Sequence, residues 1–215
     1  MENQKWKLQG HLVEYSDQDH QYMVDGVKVP SVTQVLKFRF PNKYKDVDPA
    51  ILSQAATRGT ILHQIIQDYE EVGVESTAPE LYHYKFLKKS YGFKFKEAEV
   101  PILITFKDDL NEEKYICGRL DQVIEINGKT ALNDFKFVST MDAEYKEYLA
   151  YQLNMYRLGY EQTYNKKIEK LYGTWLKITA TQEHRKFIEL PINEAMIQEL
   201  LKNYYNRKEE VKTND

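Results

Sequence analysis

Two aspartates and a lysine in the middle of the 215-residue chain have the types and spacing of a phosphate-cleaving site. Asp134 and Lys136 are two positions apart on a predicted strand, so both side chains project from one face. Asn127-Gly128 predicts a tight hairpin that pairs this strand with the strand that carries Gly118 and Asp121. We therefore expect the three side chains to meet on one sheet.

Two converging carboxylates repel each other and are costly to bury unless a cation lies between them. Mg²⁺ or Mn²⁺ would serve, because hard cations prefer oxygen ligands. A lysine beside the cation could polarise the attacking water or neutralise charge on a phosphate. The alternative is a solvated strand face with an Asp–Lys pair, which a D-x-K pattern alone would favour.

Four other polar residues could complete such a site, and each has a structural alternative. His63 lies on a predicted helix and could be a structural histidine. Glu99 lies on the first predicted strand of the sheet and could face solvent. Gln152 and Tyr156 are four positions apart on a long predicted helix, so they share one face, which could be a polar patch beside the core.

In chain order these residues form the patterns G-x-x-x-H, E, G-x-x-D, D-x-K and Q-x-x-x-Y between Arg58 and Tyr156. This order resembles the RecB-like branch of the PD-(D/E)xK nuclease superfamily, which includes nuclease domains of recombination helicases, CRISPR adaptation nucleases and phage exonucleases. Val29–Leu36 is similar to a P-S-V-T-x-x-L segment of the mitochondrial genome-maintenance exonuclease and related phage proteins. The resemblance implies a restriction-endonuclease-like α/β core, with a central mixed β-sheet flanked by helices.

The resemblance also implies the metal ligands. Asp121 and Asp134 would bind Mg²⁺ or Mn²⁺, and His63 would be a further ligand on one side. Glu99 would bind or position a second metal, or orient water. The acidic residues among these would therefore be catalytic as well.

Lys136 would be the catalytic lysine of the family. Gln152 and Tyr156 would hold that lysine or contact the DNA backbone near the scissile phosphate. Phe137 follows the lysine where the family often has Thr or Ser, so that polar contact is missing or comes from Ser139 or Thr140.

The elements predicted around the site give an α/β fold with a mixed sheet. His11–Val29 predicts short strands with a turn at Asp25-Gly26, a small N-terminal β-hairpin element, and Ser31 with Gln34 predicts a helix start with a capping box. The other predicted helices are Ala50–Val72 with a potential break at Gly59, Glu80–Tyr91, Asp142–Tyr164 and Asn193–Arg207. The other predicted strands are Ala98–Phe106, Tyr115–Ile126, Thr130–Val138, Leu171–Ile178 and Lys186–Leu190.

Length and composition favour one domain over 1–215. The resemblance implies that it is a nuclease domain, with an N-terminal β/helix extension (1–46), a core (47–192) and a C-terminal helix and tail (193–215). The single cysteine, Cys117, excludes an internal disulfide, a cysteine zinc site and the iron–sulfur cluster of some relatives. No apolar run is long enough to span a bilayer. We expect a cytoplasmic protein of a bacterial or phage-infected cell.

The net charge of −3 requires that any DNA be held by local basic groups. Two groups are candidates, the second with aromatic neighbours, and a solvated helix face is the alternative for each. The first group is Lys37, Arg39, Lys43 and Lys45, and the second includes Lys85, Lys88 and Lys89.

These patterns predict a phage or bacterial exonuclease that cleaves DNA, single-stranded or with free ends, near an end. The dependence on ends comes from the resemblance. Two alternatives stay open: a structure-specific endonuclease on the same core, and a degenerate nuclease fold that binds a recombination or replication protein.

Overall fold

The computed structural model describes residues 3–179 and 181–212, which form nine strands and five helices. The strands are β1 (Gln4–Leu8), β2 (His11–Ser16), β3 (Gln21–Val24), β4 (Val27–Val29), β5 (Lys94–Lys107), β6 (Glu113–Ile126), β7 (Lys129–Lys136), β8 (Lys170–Ile178) and β9 (Glu183–Leu190). The helices are α1 (Val32–Arg39), α2 (Pro49–Val72), α3 (Pro79–Tyr91), α4 (Ala143–Tyr164) and α5 (Glu194–Lys212).

The strands form two sheets. One has four antiparallel strands in the order β1-β2-β3-β4, and the other has five in the order β5-β6-β7-β8-β9. In the five-stranded sheet β7 and β8 are parallel and all other neighbours are antiparallel. The predicted α/β class with a mixed central sheet is therefore confirmed.

The N-terminal element is larger than the predicted hairpin. The turn at Asp25-Gly26 is present, with both residues at positive φ. A similar turn at Gln9-Gly10 joins β2 to β1, a strand that was not predicted. The segment Gln4–Leu8 buries only Leu8, so its alternation gives a weak strand signal.

The predicted helix ends are largely confirmed. Ser31 and Gln34 form the capping box of α1, and Asn193 accepts a hydrogen bond from a backbone N–H of α5 at 3.1 Å. The break at Gly59 is wrong, since α2 runs without interruption to Gly73. A glycine inside a helix costs only about 1 kcal/mol, which the rest of α2 offsets.

Helices cover both faces of the five-stranded sheet. On one face α1, α4 and α5 pack in a core that includes Leu36, Leu149 and Leu201. On the other face α3 and the second half of α2 form a core with Ile66 and Tyr84. The middle strands β6 and β7 thus lie between two apolar layers, which fixes the side chains that they carry.

None of the described helices is long and apolar enough to cross a bilayer. The predicted division at 46/47 and 192/193 stays a prediction. Helix α5 continues past the predicted end at Arg207 to Lys212, the first residue of the predicted tail 212–215, and 213–215 lie outside the described residues.

Replacing Gly159 by Ala should lower the free energy of unfolding by about 1–3 kcal/mol. Helix α4 crosses β5 so closely there that a Cβ atom would lie 2.5 Å from Ile102 Cδ1. Gly59→Ala is the matched control, because nothing lies within 4 Å of its Cβ position and alanine is the better helix former. Urea denaturation measures both; a Gly159→Ala protein as stable as the wild type would contradict the close contact.

Candidate metal centre

Three of the predicted site residues, from three different elements, converge in one cleft. His63 on α2, Glu99 on β5 and Asp121 on β6 each place a ligand atom within 4.8 Å of the others. The distance between His63 Nδ1 and Asp121 Oδ2 is 3.5 Å. An imidazole with two carboxylates is a donor set that divalent metals such as Mn²⁺ accept.

The register of β5 and β6 brings the two carboxylates together. Glu99 lies opposite Asp121, one position after the pair Ala98–Gln122. Its backbone is at φ 50, in the left-handed region. Such a conformation in a non-glycine residue costs on the order of 1–3 kcal/mol and is found most often at functional sites.

Asp134 lies beside this triad but outside it. Its side chain on β7 is almost fully buried, and Oδ2 forms an ion pair with the Lys136 ammonium. Oδ1 accepts no hydrogen bond from any described residue. A buried carboxylate oxygen without a partner is costly, and a metal ion coordinated at that atom would remove the cost. This unpartnered oxygen fits a site that takes a cation.

Burial and mutual repulsion favour the protonated forms of the carboxyl groups. Burial, with the nearby Asp121 charge, raises the pKa of Asp134 to about 6 and that of Glu99 to about 7. Burial also raises the pKa of Asp121, against the opposing charge of Lys136. A bound cation would reverse these shifts, because it favours the ionised carboxylates.

The lysine keeps its charge in this environment. Burial disfavours the Lys136 ammonium, but the Asp134 carboxylate and other nearby groups outweigh that effect and hold its pKa well above the ordinary value. Burial lowers the pKa of His63 to about 4, and the charge of the Lys136 ammonium is the next largest cause. The imidazole is therefore neutral near pH 7, the form that binds a metal.

Two phenylalanines of β7 and the segment after it hold the imidazole in place. The rings of Phe135 and Phe137 meet the His63 ring edge-on, with centroids 5.6 and 5.4 Å away. Phe137, the departure from the family pattern, thus has a packing role. Ser139 and Thr140, the suggested substitutes for the missing hydroxyl, line the cleft on the Lys136 side.

Gln152 and Tyr156 lie on the buried face of α4. Gln152 Nε2 donates to the Tyr156 hydroxyl at 3.3 Å, while Gln152 Oε1 accepts no hydrogen bond from any described residue, Lys136 included. Gln152 Oε1 therefore does not hold the lysine in this structure, and the alternative contact with the DNA backbone stays a prediction. Tyr156 packs against Gly118, where a Cβ atom would lie 3.0 Å from its ring, so that glycine admits the ring to the site.

The centre lies between two clefts. One, of about 480 Å³, contains His63, Glu99 and Asp121 and is walled by residues of β2 and β3. The other, of about 650 Å³, is lined by Lys136 and Lys43. Gly59 and His63 line both, so α2 forms their shared wall.

The first predicted basic group lies partly at the second cleft. Lys43 lines it, with its ammonium 3.5 Å from the Tyr145 ring centroid, and burial lowers the pKa of Lys43 to about 8. Arg39 pairs with Glu147 at 3.2 Å. Two further members, Lys37 and Lys45, are exposed.

The second predicted basic group is largely neutralised by ion pairs. Lys85 contacts Glu75 at 2.7 Å and Lys88 contacts Glu70 at 2.6 Å. Lys89 is exposed. Helix α3, which carries this group, packs on β8 and β9 and supplies none of the candidate ligands.

Sequence reasoning missed three residues of the site. Tyr145 and Tyr148 lie near Lys136. Their spacing places them on the same face of α4 as Gln152, which could have indicated that they belong to the site. Arg119 lies inside the G-x-x-D pattern, where the sequence assigned it no role; its Nε lies 2.5 Å from Glu99 Oε2.

Comparisons with known proteins do not assign a family. No family model matches the chain, and a search of curated proteins finds no match. A solved structure described as "Crystal structure of SSO0001" is similar at 22% identity and a TM-score of 0.46, over 80% of this chain and 73% of that chain. A likeness of that degree indicates nothing about activity.

We expect Mn²⁺ to raise the melting temperature of the wild type but not that of Asp121→Asn, because a metal stabilises a fold only through ligands of the native state. Asparagine keeps the acceptor for the Phe135 N–H, which Asp121 holds at 2.8 Å, but loses the charge. Asp109→Asn, at an exposed carboxylate paired with Lys202, is the control. Calorimetry in EDTA and in Mn²⁺ measures this; equal shifts in all three proteins would refute the centre.

Proposed function

We propose that the protein is a metal-dependent DNA nuclease with a restriction-endonuclease-like core, acting as an exonuclease near strand ends. One observation carries the proposal: the His63, Glu99 and Asp121 cluster adjoins a buried Asp134–Lys136 pair whose carboxylate retains an unpartnered oxygen. Carboxylates, a neutral imidazole and a buried ammonium together supply what phosphodiester hydrolysis needs: cation ligands and a fixed positive charge.

His63, Glu99 and Asp121 would hold the cation, and the unpartnered Asp134 Oδ1 is a candidate for a further ligand atom. Mg²⁺ or Mn²⁺ bound there would polarise the phosphodiester and lower the pKa of a water molecule. All three ligand side chains come from helices or strands rather than from loops, so little reorganisation is needed to bind the ion.

The role of Lys136 follows from its contacts. Asp134 holds its ammonium at the border of the second cleft, and the surrounding burial strengthens any charge interaction that it makes. In that position the ammonium can stabilise negative charge developing on a phosphate oxygen, or orient the attacking water. In the metal-free centre its pKa is raised, chiefly by the Asp134 carboxylate, so the side chain is a charged donor there.

A path for the DNA strand through the second cleft is part of the proposal. Lys43 and the rings of Tyr44 and Tyr145 line it beside Lys136. Cationic and aromatic groups together are how single strands are bound without sequence readout. The pairing of Lys85 and Lys88 with glutamates makes α3 the weaker candidate for such contacts.

Replacing Lys136 by Gln should reduce the single-turnover cleavage rate by about a hundredfold or more, the usual effect of removing a group that stabilises transition-state charge. Mn²⁺ affinity by calorimetry should be retained, because glutamine can still donate to Asp134 and the ligands are intact. Lys202→Gln removes an exposed charge of α5 that lines neither cleft and should leave cleavage close to wild type. Loss of Mn²⁺ binding in Lys136→Gln would show that the lysine organises the ligands instead.

Linear and circular single-stranded DNA of the same sequence should be distinguished by the enzyme with Mg²⁺ or Mn²⁺. An end-dependent exonuclease degrades the linear form and leaves the circle intact. Cleavage of both forms would indicate the endonuclease, and binding without cleavage of either would indicate a degenerate fold. Gel analysis of both substrates, with Asp134→Asn as the inactive control, measures the outcome.

A further inference from the structure

Arg119 is a second cation at the candidate centre, on the side opposite Lys136. It precedes Asp121 by two positions on β6, and its Nε contacts Glu99 Oε2 at 2.5 Å. Its side chain is 30% exposed and lines the cleft that holds the candidate ligands. The guanidinium thus shares a carboxylate with the metal centre while facing the space that a substrate would enter.

The N-terminal sheet fixes the position of this guanidinium. Nη1 of Arg119 donates to Gln4 Oε1 of β1 at 2.9 Å, and its guanidinium carbon lies 5.7 Å from the ring centroid of Tyr15 on β2. Tyr15 and Tyr22 line the same cleft. The four-stranded sheet therefore does more than cover the core, since it holds a cation at the wall of the cleft.

The balance of charges at the centre indicates what the Arg119 guanidinium does. With the carboxyl groups ionised, Glu99, Asp121 and Asp134 oppose Lys136 and Arg119, which leaves the metal-free centre with an excess of negative charge. A divalent cation reverses the sign of that excess. It also withdraws charge from the Glu99 carboxylate and repels the guanidinium, which weakens the ion pair between them.

We propose that Arg119 has two alternating partners: the Glu99 carboxylate when no metal is bound, and a backbone phosphate of the DNA strand when the metal is bound. The guanidinium is suited to the second role because its planar set of donors matches phosphate geometry. The centre would thus bind DNA well only after it has bound metal. This inference rests on the proposed nuclease function and assigns a substrate-binding residue to it.

The test is DNA affinity with and without a metal that does not support cleavage. Fluorescence anisotropy of an internally labelled single-stranded oligonucleotide is recorded in EDTA and in Ca²⁺ for the wild type and Arg119→Gln. We expect Arg119→Gln to weaken binding about tenfold or more in Ca²⁺, the usual effect of losing a charged hydrogen bond. In EDTA the two proteins should bind alike, because Arg119 is then held by Glu99.

Mn²⁺ titration without DNA gives a second readout of opposite sign. Arg119→Gln should bind Mn²⁺ at least as tightly as the wild type, because a competing cation has been removed from Glu99. A merely structural arginine would instead lower metal affinity and DNA affinity together. Lys5→Gln is the control, since Lys5 pairs with Glu14 at 2.5 Å on the same N-terminal sheet and should change neither measurement.

Equal losses of DNA affinity in EDTA and Ca²⁺, no loss in either, or weaker Mn²⁺ binding would overturn the role of Arg119. If Arg119→Gln does not fold, Arg119→Lys decides, since it keeps the charge but not the paired donors and must also lose affinity in Ca²⁺ only. A wild type that binds Mn²⁺ and cleaves DNA, with an Arg119 variant that fails these criteria, would refute this inference alone. A wild type that binds no Mn²⁺ would refute the proposed function with it.

Discussion

The repulsion between three neighbouring carboxylates is the constraint on which the rest of the site depends. Glu99, Asp121 and Asp134 lie on adjacent strands, where burial weakens the screening that water would provide. A fold without compensating charges would be destabilised there. Lys136 on one side and Arg119 on the other supply part of the compensation, and the unpartnered oxygen of Asp134 marks where it is incomplete. Such a site trades stability of the empty form for affinity towards a cation.

Each layer of the fold contributes to holding this arrangement. The hairpin between β6 and β7 places the aspartates on neighbouring strands, and the backbone N–H of Phe135 fixes Asp121 by a hydrogen bond. Helix α4 packs closely on β5 and β6, because Gly159 of α4 and Gly118 of β6 leave room for side chains of the facing element. Helix α2 adds a neutral imidazole whose ring is fixed by aromatic edges. The carboxylates of the centre are therefore positioned by the buried strands of the sheet.

The sequence was most informative where contacts are local. The turn at Asn127-Gly128 sets which strands pair, so the meeting of Asp121 with the Asp134 strand could be predicted from the residues, whereas His63 was assigned only by resemblance. Contacts between distant segments could not be predicted. Nothing in the sequence pairs Arg119 with Gln4, and the glutamates that neutralise lysines of α3 lie outside that helix, Glu75 in the preceding loop and Glu70 on α2. Strand β1 was not predicted because it buries only one side chain, so its sequence lacks the alternation of apolar and polar residues that indicates a strand.

Helix α2 has a consequence for how metal affinity should be understood. Of its 24 residues only Leu62 and Ile66 are buried, yet it carries His63 and walls both clefts. So few apolar contacts give its docking on the sheet a small free energy, and the helix can open locally at a cost well below that of global unfolding. If the proposed centre binds a metal ion, coordination and docking would be linked equilibria: the ion would stabilise the docked helix, and a loosely docked helix would weaken the apparent affinity for the ion. A substitution at Ile66, which is not itself a candidate ligand, would therefore change the metal affinity.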